Sequence, residues 1–154
     1  MNPIRVIALV VFALGLVRDS ASQTTGTFEV TTDRATYAPL DTVAVTFVND
    51  RGAVAFVMNV GCGLHGGGWL PSFRIEQRVE GGWVPFSPGY ACYAVAVPPT
   101  EVPAGGAYEV RFPVGVIPPM PSGTYRYVFG VTDEARVSPL PVEERTTAPF
   151  EVTR

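Results

Sequence analysis

The sequence contains one histidine, His65, two cysteines and no lysine. A Ser-His-Asp site needs a histidine as its base, and zinc hydrolases generally use two or more, so a single histidine removes most hydrolase mechanisms. Only 16% of the residues are charged, and the net charge is −3. Proteins bind nucleic acids and anionic membranes through basic patches. A low charged fraction and a negative net charge disfavour such a patch. We therefore expect no enzyme activity, no cofactor and no nucleic-acid partner.

Long apolar runs are also scarce, and the one that stands out spans residues 6–17. Arg5 precedes this run, and Ser20-Ala21-Ser22 follows it with the small residues at which a signal peptidase cuts. The alternative is a membrane anchor, but a spanning helix needs about 20 apolar residues. The pattern predicts a signal peptide over residues 1–22 and a mature domain over residues 23–154. We expect a secreted or periplasmic protein with no membrane contact after cleavage.

Helical periodicity is absent, whereas apolar and polar residues alternate in many short segments. Residues 53–60 are apolar on both faces, as a central strand would be. Turn-forming Gly, Pro and Asn residues separate the segments. The pattern predicts an all-β fold, an antiparallel β-sandwich of about seven strands. The apolar phase of the alternation predicts a core that contains Val43, Val45, Phe47, Ile75, Val110, Phe112, Tyr125, Tyr127 and Phe129.

Several short motifs occur along the chain, and the order in which they occur is informative. The series is Tyr37, Asn49, Cys62-Gly63, Gly82-Trp83, Cys92 and Gly123-Thr124-Tyr125-Arg126. In this order, the motifs resemble a bacterial immunoglobulin-like domain family of exported proteins. The resemblance implies an immunoglobulin-like fold outside the cytoplasm, and it supplies no catalytic residues. It also places Tyr125 where such folds carry a corner tyrosine, whose hydroxyl bonds a nearby backbone group.

The two cysteines, Cys62 and Cys92, are expected to form a disulfide, because paired cysteines in an exported chain oxidise by default. Closing a loop of about 30 residues stabilises a fold by about 3–4 kcal/mol in the chain-entropy model. Cys62 and His65, with Cys92 as a third ligand, also have a spacing that suits a metal ion. No fourth ligand is evident, and oxidation would consume the thiolates, so we predict no metal. A reactive free thiol is the remaining alternative.

Adjacent acids occur at Asp133-Glu134 and at Glu143-Glu144. Neighbouring acids in a proline-rich loop are typical of a solvated surface, and sequence neighbours rarely lie on both sides of a substrate. Acid–base catalysis by such a pair and a weak calcium site at Asp133-Glu134 are the chemical alternatives.

Two loops are the predicted binding elements, since β-scaffolds commonly carry function on loops. One covers residues 61–70, with His65 and Trp69, and the other covers residues 133–147, with Leu140. We expect a stand-alone immunoglobulin-like domain with a binding or structural role and an unknown protein or cell-envelope partner. The alternative is a small secreted proteinase inhibitor of β-sandwich type, with a stiff loop at residues 114–121 or 138–141. Both binding loops could also be passive connections.

Overall fold

A computed structural model describes residues 26–63, 68–87, 97–114 and 120–154. Over these residues the chain forms thirteen β-strands and one 3-10 helix, Val142–Arg145, and no α-helix. The strands are β1 (Phe28–Thr32), β2 (Thr36–Tyr37), β3 (Thr42–Asn49), β4 (Ala55–Val57), β5 (Asn59–Gly63), β6 (Trp69–Pro71), β7 (Phe73–Val79), β8 (Gly82–Phe86), β9 (Thr100–Val102), β10 (Gly106–Pro113), β11 (Gly123–Phe129), β12 (Val131–Thr132) and β13 (Phe150–Val152). The all-β prediction is confirmed, with more and shorter strands than the seven or so expected.

The described strands form four sheets. The first has the order β1-β3-β10, and the second has the order β2-β13-β11-β7-β8. Two smaller sheets have the orders β12-β4-β9 and β5-β6. Within the described part of the chain, the pairing is antiparallel everywhere except between β2 and β13. The antiparallel expectation therefore holds for the sheets as a whole.

The core follows the alternation of the sequence. In β3, Val43, Val45 and Phe47 have no solvent exposure, and in β11 the same holds for Tyr125, Tyr127 and Phe129. Ile75, Val110 and Phe112 are buried as well, so the predicted core is confirmed. Burying a Phe side chain stabilises the folded state by about 1.5–3 kcal/mol.

Aromatic rings connect the first sheet to the second. The ring of Phe47 in β3 lies edge-on to that of Phe129 in β11, with 5.0 Å between centroids. Phe112 in β10 stacks on Phe73 in β7 at 5.2 Å and contacts Tyr127 at 5.7 Å. Edge-to-face and offset pairs at these distances contribute about 0.5–1.5 kcal/mol beyond the area they bury. The inner faces of the two sheets therefore pack directly against each other.

Three strand breaks meet at one point of the fold. The Met58 amide donates to Gly130 O at 2.8 Å, the Gly130 amide to Ser72 O at 2.8 Å, and the Ser72 amide to Met58 O at 2.7 Å. These residues separate β4 from β5, β6 from β7, and β11 from β12, and each pair of strands lies in two different sheets. The predicted single strand over residues 53–60 is therefore divided at Met58. Its first part, β4, is buried at every residue and lies in the middle of its sheet, as predicted for a central strand.

The Tyr125 hydroxyl bonds a nearby backbone group, as predicted. The Tyr125 hydroxyl donates to the carbonyl of Pro121, four residues upstream, at 2.9 Å. Burial raises the pKa of this phenol above its ordinary value. The bond fixes the entry of the chain into β11 and confirms that the hydroxyl bonds a nearby backbone group.

Candidate functional site

The first predicted binding loop is described only at its ends. Trp69 begins β6 opposite Gly63, next to a register shift between Val60 and Gly63, and it is 38% exposed. Trp69 is therefore accessible to a partner. His65 lies outside the described residues. Cys62 packs partly buried against the core, and Cys92 lies outside the described residues, so the predicted disulfide stays a prediction.

The second predicted binding loop packs against the fold, and Leu140, its predicted binding residue, is buried and not accessible to a partner. Leu140 is 5% exposed and belongs to the core. Its amide donates to Val131 O at 2.9 Å, and the Arg145 side chain donates to its carbonyl at 2.9 Å. Leu140 is buried, although its neighbours in the sequence are exposed, because this segment folds back onto the edge of β12.

The adjacent acids differ in their surroundings. Glu144 accepts from the Phe28 amide at 3.1 Å and pairs with Arg51 at 3.0 Å, so it fastens the 3-10 helix to β1. Glu143 is exposed. This arrangement gives Glu144 a structural role and does not assemble two carboxylates around a substrate.

Asp133 and Glu134 line an open cavity of about 230 Å³, together with Arg51 and Leu140. The Oδ1 atom of Asp133 is buried without a hydrogen-bond partner. No group of three or more His, Cys, Asp or Glu side chains that could hold a metal ion occurs within the described ranges. Arg51, which also lines the cavity, pairs its guanidinium with Glu144. Among the described residues, no third acidic side chain joins Asp133 and Glu134 as a calcium ligand.

A cluster of charged and aromatic side chains lies on the outer face of the second sheet. We call Arg74, Glu76, Arg78, Trp83 and Arg126 the arginine–tryptophan face. Because side chains alternate along a strand, Arg74, Glu76 and Arg78 of β7 share one side. Arg78 pairs in register with Trp83 of β8, and Glu76 with Arg126 of β11. Three neighbouring strands thus bring these five residues together.

Glu76 is the centre of this face. It is 7% exposed, although it stands on the outer side of the sheet. One carboxylate oxygen accepts from Arg74 at 2.8 Å, and the other accepts from Arg126 at 2.7 Å. Burial acts to raise the pKa of Glu76, but the hydrogen bonds and charges of Arg74 and Arg126 outweigh it, so the pKa lies below its ordinary value. The carboxylate is therefore held ionised and fixes two guanidinium groups.

Trp83 is covered by guanidinium groups. The Arg126 guanidinium lies 4.3 Å from the ring centroid and the Arg78 guanidinium lies 5.4 Å from it. Cation–π contacts of this kind contribute about 0.5–1 kcal/mol at exposed sites. Arg126 thus makes two contacts at once, an ion pair with Glu76 and a stacking contact with Trp83.

Arg78 differs from the other two arginines. Within the described residues, it forms no ion pair, and its contact is with the Trp83 ring. It is exposed, and so is Arg74, whose side chain is 51% accessible. The face therefore presents more positive charge than Glu76 neutralises.

In the sequence, Trp83 and Arg126 stood out only as members of the motif series that carries the family resemblance. Arg74, Glu76 and Arg78 occupy the polar phase of an alternating strand, which is what any solvated strand shows. The available signal in the sequence was the alternation of Arg74, Glu76 and Arg78, in which two positive side chains flank a negative one at every second residue. The pairing of β8 and β11 with β7, which completes the cluster, is not visible in that pattern.

Comparison with known proteins adds no assignment: no family model matches the sequence, and no curated protein matches it. In the ranges that the structure covers, no helix has the length and apolar character to cross a membrane.

Proposed function

We propose that this chain is an exported immunoglobulin-like β-sandwich that acts by binding a partner and not by catalysis. The packing of the first sheet on the second through Phe47, Phe112 and Phe129 supports the sandwich. The Tyr125–Pro121 bond supports the immunoglobulin-like assignment, because such folds carry a tyrosine corner. An extracytoplasmic location, secreted or periplasmic, is part of the proposal and rests on the N-terminal motif.

The proposal includes one disulfide, between Cys62 and Cys92. Cys62 lies in β5, one residue before its end, and packs partly buried against the core. A second cysteine in an exported chain is its natural partner. The disulfide would join β5 to the segment that precedes β9.

The arginine–tryptophan face is the observation that carries the binding function. Tryptophan and arginine are enriched among residues that dominate the energy of protein interfaces. Glu76 and Trp83 hold the arginines in place, so fewer side-chain rotamers are lost when a partner binds. A rigid sheet that presents fixed guanidinium groups is suited to recognise a partner with complementary charge.

Crosslinking of the exported protein in its own cell-envelope and medium fractions tests the binding function. We expect one crosslinked partner with the wild-type chain, less of it with Arg78→Glu, and an unchanged amount with Arg111→Glu. Arg111 is a matched control, since it is exposed on β10 and pairs with a strand neighbour, Glu109, as Arg74 pairs with Glu76. A Trp69→Ala variant that alone loses the partner would move the site to β6. Turnover of a substrate that disappears with one acidic residue would refute the proposal.

The proteinase-inhibitor alternative is favoured by one turn. Leu40 is 75% exposed at the tip between β2 and β3. The Asp41 amide donates to Ala38 O at 3.0 Å, Asp41 accepts from the Ala38 amide at 3.0 Å, and Arg34 pairs with Asp41 at 3.1 Å. Inhibitor loops need such a fixed, exposed side chain. Of the loops first expected to inhibit, residues 115–119 lie outside the described ranges, and residues 138–141 contain the buried Leu140.

Stoichiometric inhibition assays against a panel of serine proteases and metalloproteases decide on this alternative. Inhibition that Leu40→Gly abolishes would replace the binding proposal with the inhibitor. The absence of inhibition at micromolar protein would remove the alternative.

A further inference from the structure

We infer that the arginine–tryptophan face binds an extended acidic peptide segment of a partner protein, with two carboxylates placed four residues apart. The inference rests on the proposed binding function and specifies the chemistry of the partner. It is carried by the charge of the face, by the spacing of its two exposed arginines along β7 and by the covering of Trp83.

The charge of the face is opposite to that of the chain. The chain has a net charge of −3, yet the face holds three arginines and one carboxylate. Glu76 pairs with both Arg74 and Arg126, and Arg78 forms no ion pair with a carboxylate of the described residues. The local excess of positive charge favours an anionic partner, and the fork of a guanidinium matches a carboxylate in two parallel hydrogen bonds.

The spacing of Arg74 and Arg78 along β7 selects the spacing of the carboxylates in the partner peptide. Arg74 and Arg78 stand on the same side of β7, four residues apart, which corresponds to about 13 Å along a strand. An extended peptide shows side chains on one side about every 6.6 Å, so its carboxylates at positions i and i+4 match the two arginines. Position i+2 would lie over Glu76, so a third acidic side chain there is disfavoured.

The covering of Trp83 excludes a sugar-stacking platform. Arg126 and Arg78 already lie over the ring at 4.3 and 5.4 Å, and Arg126 is also fixed by Glu76. A sugar ring would have to displace at least one guanidinium to stack there. A carboxylate can instead bond the exposed edges of Arg74 and Arg78 without disturbing the cluster.

The peptide is expected to bind through its side chains and not as an added strand. β8 lies at one edge of the second sheet as far as the chain is described. It contains Pro85, which has no backbone N–H to donate. Proline on an edge strand hinders pairing with another chain. Recognition would therefore lie on the face of the sheet and depend on the arginines.

Fluorescence anisotropy with the full-length chain tests the inference. The probe is a labelled nine-residue Thr/Val peptide with glutamates at two positions four residues apart, and its isomer has the same composition with adjacent glutamates. We expect the first peptide to bind about tenfold more tightly than the isomer, with affinity that falls as salt rises. We also expect Arg78→Glu to weaken binding by about tenfold or more and Arg78→Ala by less.

Arg111→Glu is the control, and it should change the affinity less than twofold, since Arg111 lies on the other sheet. Circular dichroism and tryptophan fluorescence establish that each variant folds; Arg78→Ala, which adds no charge beside Glu76, serves if Arg78→Glu does not. Equal binding of the two peptides, or equal effects of Arg78→Glu and Arg111→Glu, would overturn the inference. Binding of a sulfated polysaccharide that depends on Arg78, with no peptide binding, would overturn it as well.

The same variants separate this inference from the proposed function. If Arg78→Glu loses the crosslinked partner while neither peptide binds, the face is a binding site for another chemistry, and only the peptide inference fails. If the crosslinked partner is unaffected by Arg78→Glu, the proposed site itself fails.

Discussion

Replacement of Asn49 by alanine is expected to destabilise the domain by about 2–6 kcal/mol. Asn49 ends β3 and has no solvent exposure. Its Nδ2 atom lies 2.9 Å from Val102 O, 3.0 Å from Ala53 O and 3.2 Å from Pro103 O. Its Oδ1 atom accepts from the Arg51 amide at 3.2 Å. One side chain therefore ties the connection after β3 to the end of β9.

The magnitude follows from counting donors. An amide has two N–H groups, so three carbonyls share two hydrogens, and the two shorter contacts are the full bonds. The bond to Val102 O is buried, and a buried acceptor left without a donor costs about 1–3 kcal/mol. The bonds to Ala53 O and from the Arg51 amide are partly accessible, and each contributes about 0.5–1.5 kcal/mol, since water can replace them in part.

Asn49→Asp keeps the shape of the side chain and reverses its hydrogen bonding. A carboxylate has no donor, so it would face three carbonyl oxygens in a buried site, and its charged form is disfavoured. The folded-state pKa of the new Asp would therefore lie above the unfolded value of about 3.9. Folding then favours proton binding, so the variant loses stability as the pH rises above about 4 and recovers part of it as the pH falls toward 4.

Urea unfolding followed by tryptophan fluorescence measures both variants at pH 7 and near pH 4.5. Asn59→Ala is the control, because Asn59 donates to Pro98 O and Thr100 Oγ1 at a more exposed site, and we expect it to cost about 1 kcal/mol. A cost below 1 kcal/mol for Asn49→Ala, or an Asp variant as stable as the wild type at pH 7, would refute the assigned hydrogen bonds.

Three further changes test the core, the ion pair and the disulfide. Phe129→Ala is expected to cost about 3–5 kcal/mol in urea unfolding, because its fully buried ring contacts Phe47; a cost below 1 kcal/mol would show that the strand phase is wrong. Glu76→Gln should reduce the loss of folding stability at acid pH. Because the pKa of Glu76 is lowered in the folded state, its carboxylate contributes stability above the ordinary pKa of about 4.5, and this stability is lost as the pH falls through the pKa of the folded state. A variant that loses as much stability as the wild type between about pH 5 and 2 would contradict the ionised pair. Non-reducing peptide mapping should link Cys62 to Cys92, and Cys62→Ala should then cost about 2–4 kcal/mol; alkylation of both thiols in the native protein would remove the disulfide.

Local pattern was enough to predict the strands and the core. In β3 and β11 apolar side chains recur at every second residue, so one face could be predicted from the sequence, and all six predicted core residues of these strands are buried. The hydrogen bond of the Tyr125 hydroxyl was expected from the family resemblance, and its acceptor, Pro121, is only four residues away. Each of these features depends on neighbours along the chain.

The amino-acid sequence by itself determined the all-β class, the inward phase of the strands and the local bond of Tyr125. Only the tertiary structure decided that Leu140 is buried, that the chain changes sheets at Met58, Ser72 and Gly130, and that Trp83 and Arg126 meet Arg78 and Glu76. These features join residues that are far apart in the chain, and irregular segments such as the one around Leu140 have no period that marks an inner face. Pairing partners are chosen by the packing of whole sheets, which is why the candidate site emerged from strand order and not from any single motif.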